Sequence, residues 1–129
     1  MIRLGSQRKE AHIMYVKVDD KAQEIIKRHS IDGAKVVLNM VDGIGPFAKG
    51  SVSCDLGTRF EIIFVDKDRE LEDYGETIDS DLGKLYIKPY TKDYLDEEDV
   101  IKVGSLNNLI LAGEFSGEID PNVNIRDER

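Results

Sequence analysis

Apolar and polar positions alternate from Met14 onward in a way that separates one helix from a run of strands. "YVKV" (15–18) alternates with period two and predicts a short strand. In "DDKAQEIIKRH" (19–29), Ala22, Ile25, Ile26 and His29 fall at i, i+3, i+4 and i+7, the stripe of an amphipathic helix. Asp20 is expected to cap its free amides, with Gln23 at the reciprocal position. Lys27, Arg28 and His29 suit the negative end of the helix dipole, and Gly33 stops the helix shortly afterwards.

The pattern then turns to β. "AKVVLNMVD" (34–42) and "TRFEIIFVD" (58–66) are rich in β-branched and aromatic residues. In the second, Phe60, Ile62 and Phe64 share one face while Ile63 and Val65 share the other, so this strand should be buried on both sides. The acidic stretch 67–83 predicts a solvated loop ending in a short strand. "KLYIKPY" (84–90) is a strand closed by Pro89, and "TKDYLDEED" (91–99) suggests one helical turn capped by Thr91. "VIKVG" and "NLILAGEF" are two strands joined through "SLNN", a hairpin turn. Residues 1–13 lack periodicity and read as a flexible leader, and residues 126–129 read as a frayed tail after Ile125. The expected architecture is one α+β, mostly β domain over 14–125, built as two packed β-sheets with one main helix.

Composition narrows the function classes. With 129 residues and 40% hydrophobic positions the chain can bury a core without staples. A net charge of −8 disfavours nucleic acid, whose binding needs cations to displace counterions, and disfavours anionic membrane surfaces. No stretch approaches the roughly 20 apolar residues that span a bilayer. The N-terminus carries no apolar signal core, and the single cysteine forbids an internal disulfide. A cytoplasmic location is expected.

Candidate chemistry centres on that cysteine, Cys54, at the end of the glycine-rich stretch "DGIGPFAKGSVSC". Gly43, Gly45 and Gly50 do not make a phosphate cradle, because a strand follows where a helix N-terminus would be needed. The segment starting at Asp66 fails the calcium-loop pattern, with Leu71 sixth and Thr77 twelfth. His12, His29 and the scattered carboxylates assemble no acid–base pair, so a non-enzymatic role is expected. On residue chemistry alone Cys54 reads as a small buried residue rather than a metal ligand, because its neighbour Asp55 would disfavour the thiolate. Phe47, Tyr90 and Tyr94 are the candidate partner-binding residues, together with Tyr74. An exposed Phe47 would favour contact with a partner, whereas a buried one would pin the loop.

The order of these segments resembles the HesB-like iron–sulfur cluster biosynthesis family, the A-type carriers. "DDKAQEIIKRH" is similar to that family's first helix, and "VLNMVDGIGPFAKGSVSC" to its strand and cysteine loop. "FEIIFVDKD" and "LYIKPYTKDYLDEED" resemble its later segments. The resemblance implies a HesB-like fold and a role with iron or iron–sulfur clusters. It also implies a C-terminal C-x-C pair, where this chain has "FSGEIDPNVNI" without cysteine, as in a cysteine-poor branch found in low-GC Gram-positive bacteria. A cluster takes four protein ligands, mostly thiolates. One chain offers Cys54 and a homodimer two such thiols, so the remainder would come from small thiols, from carboxylates such as Asp55 or Asp120, or from a partner. The expected cofactor is therefore none held stably, only transient iron or an iron–sulfur cluster. Iron–sulfur assembly proteins are the expected partners. The alternative is an interaction module on the same fold, whose acidic surface docks a basic partner without metal.

Overall fold

The computed structural model describes residues 14–29, 32–42, 46–47 and 58–129. The expected leader 1–13, His12, Gly43, Gly45, Gly50, Cys54 and Asp55 lie outside the described residues. In chain order the elements are β1 (Tyr15–Val18), α1 (Asp20–Lys27), β2 (Ala34–Met40), β3 (Phe60–Asp66), β4 (Glu76–Ser80) and β5 (Gly83–Ile87). A 3₁₀ helix (Pro89–Tyr94) follows, then β6 (Glu98–Val103), β7 (Leu109–Gly113), β8 (Gly117–Asp120) and β9 (Asn124–Asp127).

The strands form one mixed nine-stranded sheet, ordered β8-β7-β6-β1-β4-β5-β2-β3-β9. β8 and β9 lie at its opposite edges, yet only residues 121–123 join them, a reach of at most about 14 Å. The sheet must therefore curl until its edges approach. Two bonds mark the seam: the Phe60 amide donates to Asp120 Oδ2 (2.7 Å), and the Val123 amide donates to the Leu109 carbonyl (2.8 Å). The main core fills the inside of the curl, bringing Ile101, Leu109 and Leu111 together with Phe60, Ile62 and Phe64. Ala22 and Ile26 of α1, both fully buried, join it.

Two packed sheets were the expectation, drawn from the order of one helix among many strands, and β3 was expected to be buried on both faces. Those faces are indeed both buried, but not by a second sheet. Phe60, Ile62 and Phe64 face the curl, while Ile63 and Val65 belong to a smaller cluster with Val37, Phe47 and Tyr74. The stretch 67–75 is largely exposed, as its charge suggests, but turns Leu71 and Tyr74 onto that outer cluster.

Local corrections have local causes. Asp20 is the first helical residue rather than the cap; Asp19 precedes it and makes no side-chain cap bond. Gln23 instead donates from Nε2 to the Val18 carbonyl (2.9 Å). Thr91 lies inside the 3₁₀ helix, fully buried, because Pro89 at the first turn sets its start three residues earlier, with Lys88 at the cap position. Of the segment expected to fray beyond Ile125, Arg126 and Asp127 belong to strand β9, held parallel to β3 from Glu61↔Asn124 to Phe64↔Asp127.

The far end of the sheet is closed by a carboxylate. Asp96 Oδ2 accepts from the Phe115 and Ser116 amides (2.8 and 2.7 Å), and its Oδ1 accepts from Ser116 Oγ (2.8 Å). This arrangement needs glycine at 113, where a Cβ would stand 2.2 Å from Asp96 Oδ2. Gly113→Ala is expected to expel the carboxylate and cost about 2 kcal/mol, read from urea unfolding. An unchanged midpoint would contradict this packing.

Candidate functional site

The described residues converge chemically at the neck of the long β2–β3 connection, the segment that carries Cys54. β2 and β3 pair in register from Ala34↔Asp66 to Met40↔Phe60, and the Val41 amide donating to the Arg59 carbonyl (2.8 Å) closes the neck. Beyond this bond the chain leaves the sheet at Asp42.

Asp42 is held by Lys88, which links β5 to the 3₁₀ helix, and by Tyr90 in that helix. Lys88 Nζ donates to Asp42 Oδ1 (2.7 Å) and to the Met40 carbonyl (3.2 Å), while the Tyr90 hydroxyl donates to Asp42 Oδ2. Lys88 is 1% exposed, a burial that a lysine tolerates only with its charge matched. The rings of Tyr74 and Tyr90 flank its ammonium at 5.8 and 5.6 Å, adding cation–π attraction.

A second polar chain runs along the other side of the neck. Tyr74 donates its hydroxyl to Asn39 Oδ1 (2.5 Å), and Asn39 Nδ2 donates to Glu61 Oε1 (3.3 Å). Arg126, on β9, donates from the same guanidinium nitrogen to Glu61 Oε1 (2.8 Å) and to the Phe47 carbonyl (3.1 Å). The last strand thus grips the start of the loop directly. At the loop's return, Asp120 Oδ2 takes the Phe60 amide and Oδ1 takes the Asn122 amide (2.9 Å).

These contacts place the expected site residues. Phe47 is 3% exposed and packs against Tyr74 (ring centroids 5.6 Å apart), with the Arg69 guanidinium 4.9 Å from its ring. It pins the loop. Tyr90 and Tyr94 are 38% and 50% exposed, on the 3₁₀ helix beside the neck, with Val41 (41%) also open. Tyr74 is buried. His29 ends α1 with its ring 5.5 Å from Phe64, remote in role from the neck. Asp120, a possible carboxylate ligand from sequence, is 3% exposed and commits both oxygens to backbone amides. The structure brings Phe47, Tyr74 and Tyr90 together around one network and leaves His29 and Asp120 outside it.

The network fixes protonation states. Burial, the hydrogen bond to Asp42 and the Asp42 and Asp73 charges push the Tyr90 phenol up to about 12. Burial foremost, then Asp42, raises the Tyr74 phenol above the usual tyrosine range. Both remain neutral donors at neutral pH rather than phenolate ligands. Among the described residues, no three His, Cys, Asp or Glu side chains group as a metal centre, and no helix is long and apolar enough to cross a membrane.

Sequence reasoning missed Lys88, Arg126, Glu61 and Asn39. Only Asn39 carried a signal: an amide inside the apolar run "VVLNMV" must find partners when buried. Lys88, next to a proline at a strand end, reads as surface.

Similarity to known proteins follows the same architecture. The iron–sulphur cluster biosynthesis family matches residues 14–127. A crystal structure of a candidate Fe–S biosynthesis protein from Lactobacillus salivarius, described as a novel protein fold, is 34% identical. It superposes with a TM-score of 0.75, covering 88% of this chain and 98% of its own. A second candidate Fe–S biosynthesis protein, from Lactobacillus acidophilus, is 24% identical and shares the fold, with a TM-score of 0.65 over 88% of this chain and 90% of its own. No curated protein sequence matches significantly. The match spans every strand and the helix described above, and with it the chain belongs to the iron–sulphur cluster biosynthesis family.

Proposed function

We propose that this protein is a cytoplasmic, non-catalytic accessory of iron–sulfur cluster assembly that meets clusters through Cys54 without retaining one alone. The observation that carries the reading is a family match over residues 14–127 in a chain with a single cysteine. The C-terminal cysteine pair of A-type carriers has no counterpart here, and a cluster needs about four ligands. Cys54 contributes one thiolate during exchange, and the partner that owns the cluster contributes the rest.

The neck supports that division of labour. Lys88, Tyr90 and Arg126 hold the start of the Cys54 segment to the sheet. Tyr90 and Tyr94 stand exposed beside it, Tyr90 in the field of Asp42 and Asp73, and form the docking surface for a basic segment of the partner. The exposed tyrosines also favour a second reading, a metal-free interaction module.

Cluster transfer separates the two. A cluster-loaded scaffold protein and an apo-ferredoxin are mixed with the parent protein or with Cys54→Ser. The accessory reading expects faster transfer with the parent and loss of that effect in Cys54→Ser. Equal acceleration by both would support the metal-free module. No effect from either would overturn both readings.

A further inference from the structure

Asp99 is the acid that neither the core nor the loop neck explains. On β6 it pairs with Val16 of β1 and with Gly113 of β7, so it occupies a rung whose β1 neighbour faces the main core. The next rung on the same face is Ile101, flanked by Val18 and Leu111. The pattern that puts isoleucine and leucine inside thus puts a carboxyl there too. Asp99 is 3% exposed, its Oδ1 accepts the Asp96 amide (3.0 Å), and its Oδ2 has no hydrogen-bond partner. A buried, unpartnered carboxylate oxygen is costly unless the group is neutral.

A second acid stands against it. A methyl at Gly113 would lie 2.2 Å from Asp96 Oδ2 and 3.0 Å from Asp99 Oδ1, so the two carboxyl groups converge within about 5 Å over that glycine. Asp96 is the ionised member: three donors from residues 115 and 116 hold its carboxyl below the usual range. That carboxylate also holds the β7–β8 turn, whose Glu114 amide donates in addition to the Glu98 carbonyl (3.0 Å). Only Gly113↔Gly117 and Ala112↔Glu118 pair regularly before the ladder slips at Leu111/Ala112. At the tip, Phe115 is 85% exposed.

We propose that the β7–β8 turn is a pH-sensitive display element: loss of the Asp99 proton sets a buried negative charge beside the ionised Asp96 and loosens the turn that carries Phe115. Burial is the chief force keeping Asp99 protonated, raising its pKa to about 7; the Asp96 amide opposes it, and the Asp96 and Glu114 charges add to it. The charged groups facing Asp99 are Asp96, from the link before β6, and Glu114, from the turn after β7. On β1 the facing residue is Val16, while Tyr15 and Lys17 alternate to the opposite face. In the unfolded chain the proton leaves near pH 4. Between about pH 4 and about pH 7 the native state binds the extra proton, so this group's contribution to stability falls as pH rises through that window and is flat above it.

The test is NMR on the wild-type protein and on Asp99→Asn, which keeps the Oδ1 acceptor and removes the charge. Titration of the Asp99 side-chain carbon is expected to show a midpoint near 7. Water exchange of the Phe115 and Ser116 amides, corrected for its intrinsic pH dependence, is expected to rise about tenfold from pH 6 to pH 8 in the wild type. In Asp99→Asn it should stay flat at the low value. A wild-type midpoint near the ordinary carboxylate value overturns the proposal, and that reading needs no variant to fold. So does exchange that is flat in the wild type, or equally pH-dependent in both proteins.

Discussion

Lys88→Ala is expected to destabilise the protein by about 3 kcal/mol, the largest effect of any single charged residue at the loop neck. The Lys88 side chain is 1% exposed, while Asp42 lies at the surface with its side chain about a fifth exposed, so screening reaches the carboxylate and not the ammonium. Deleting the cation leaves the Asp42 carboxylate without its ion pair beside a void and removes the ammonium between the Tyr74 and Tyr90 rings. It also removes the donor to the Met40 carbonyl at the end of β2. Lys88→Met loses the charge and the same two hydrogen bonds but keeps the packing of the aliphatic stem, so it should cost less, about 1–2 kcal/mol. Urea unfolding of the two variants separates these terms. A midpoint unmoved in Lys88→Ala would show that the pair contributes nothing net.

Phe47→Ala is expected to cost a similar amount, about 3–4 kcal/mol, for a different reason. Phe47 fills the outer cluster between Val37, Ile63, Val65 and Tyr74, and a truncated side chain leaves a cavity that β2 and β3 cannot collapse. The Arg69 guanidinium loses the ring it lies over. The same variant decides what Phe47 is for. An anchor loses stability when truncated; a partner contact loses binding at unchanged stability. Full stability in Phe47→Ala would contradict its placement in the cluster.

The sequence made the two-faced strand β3 and the helical stripe of α1 readable because each is a periodic run long enough to show its period. Ala22 and Ile26 are buried as their spacing implies, and Ile63 and Val65 face away from Phe60, Ile62 and Phe64. β9 was hidden because "NIRD" has one apolar residue in four; its strand character comes from pairing with β3, not from its own composition. The single curled sheet was hidden for a related reason. Double burial says that both faces of a strand are covered, not whether the cover is another sheet, the same sheet returning, or a loop such as 67–75. At the candidate site the sequence singled out the aromatics and missed the charges that organise them. Lys88 and Arg126 are ordinary basic residues in "IKPY" and "NIRD", and only the fold reveals that both point their donors at the base of one loop.

The central functional claim is that the protein alone does not retain a cluster, and anaerobic reconstitution tests it most directly. The parent protein and Cys54→Ser are incubated with ferrous iron and sulfide, desalted, and read for visible absorption and iron per chain. The account predicts no retained iron or colour in either protein. Stoichiometric iron and colour in the parent, lost in Cys54→Ser, would contradict it and make this chain a carrier that shares a cluster between copies.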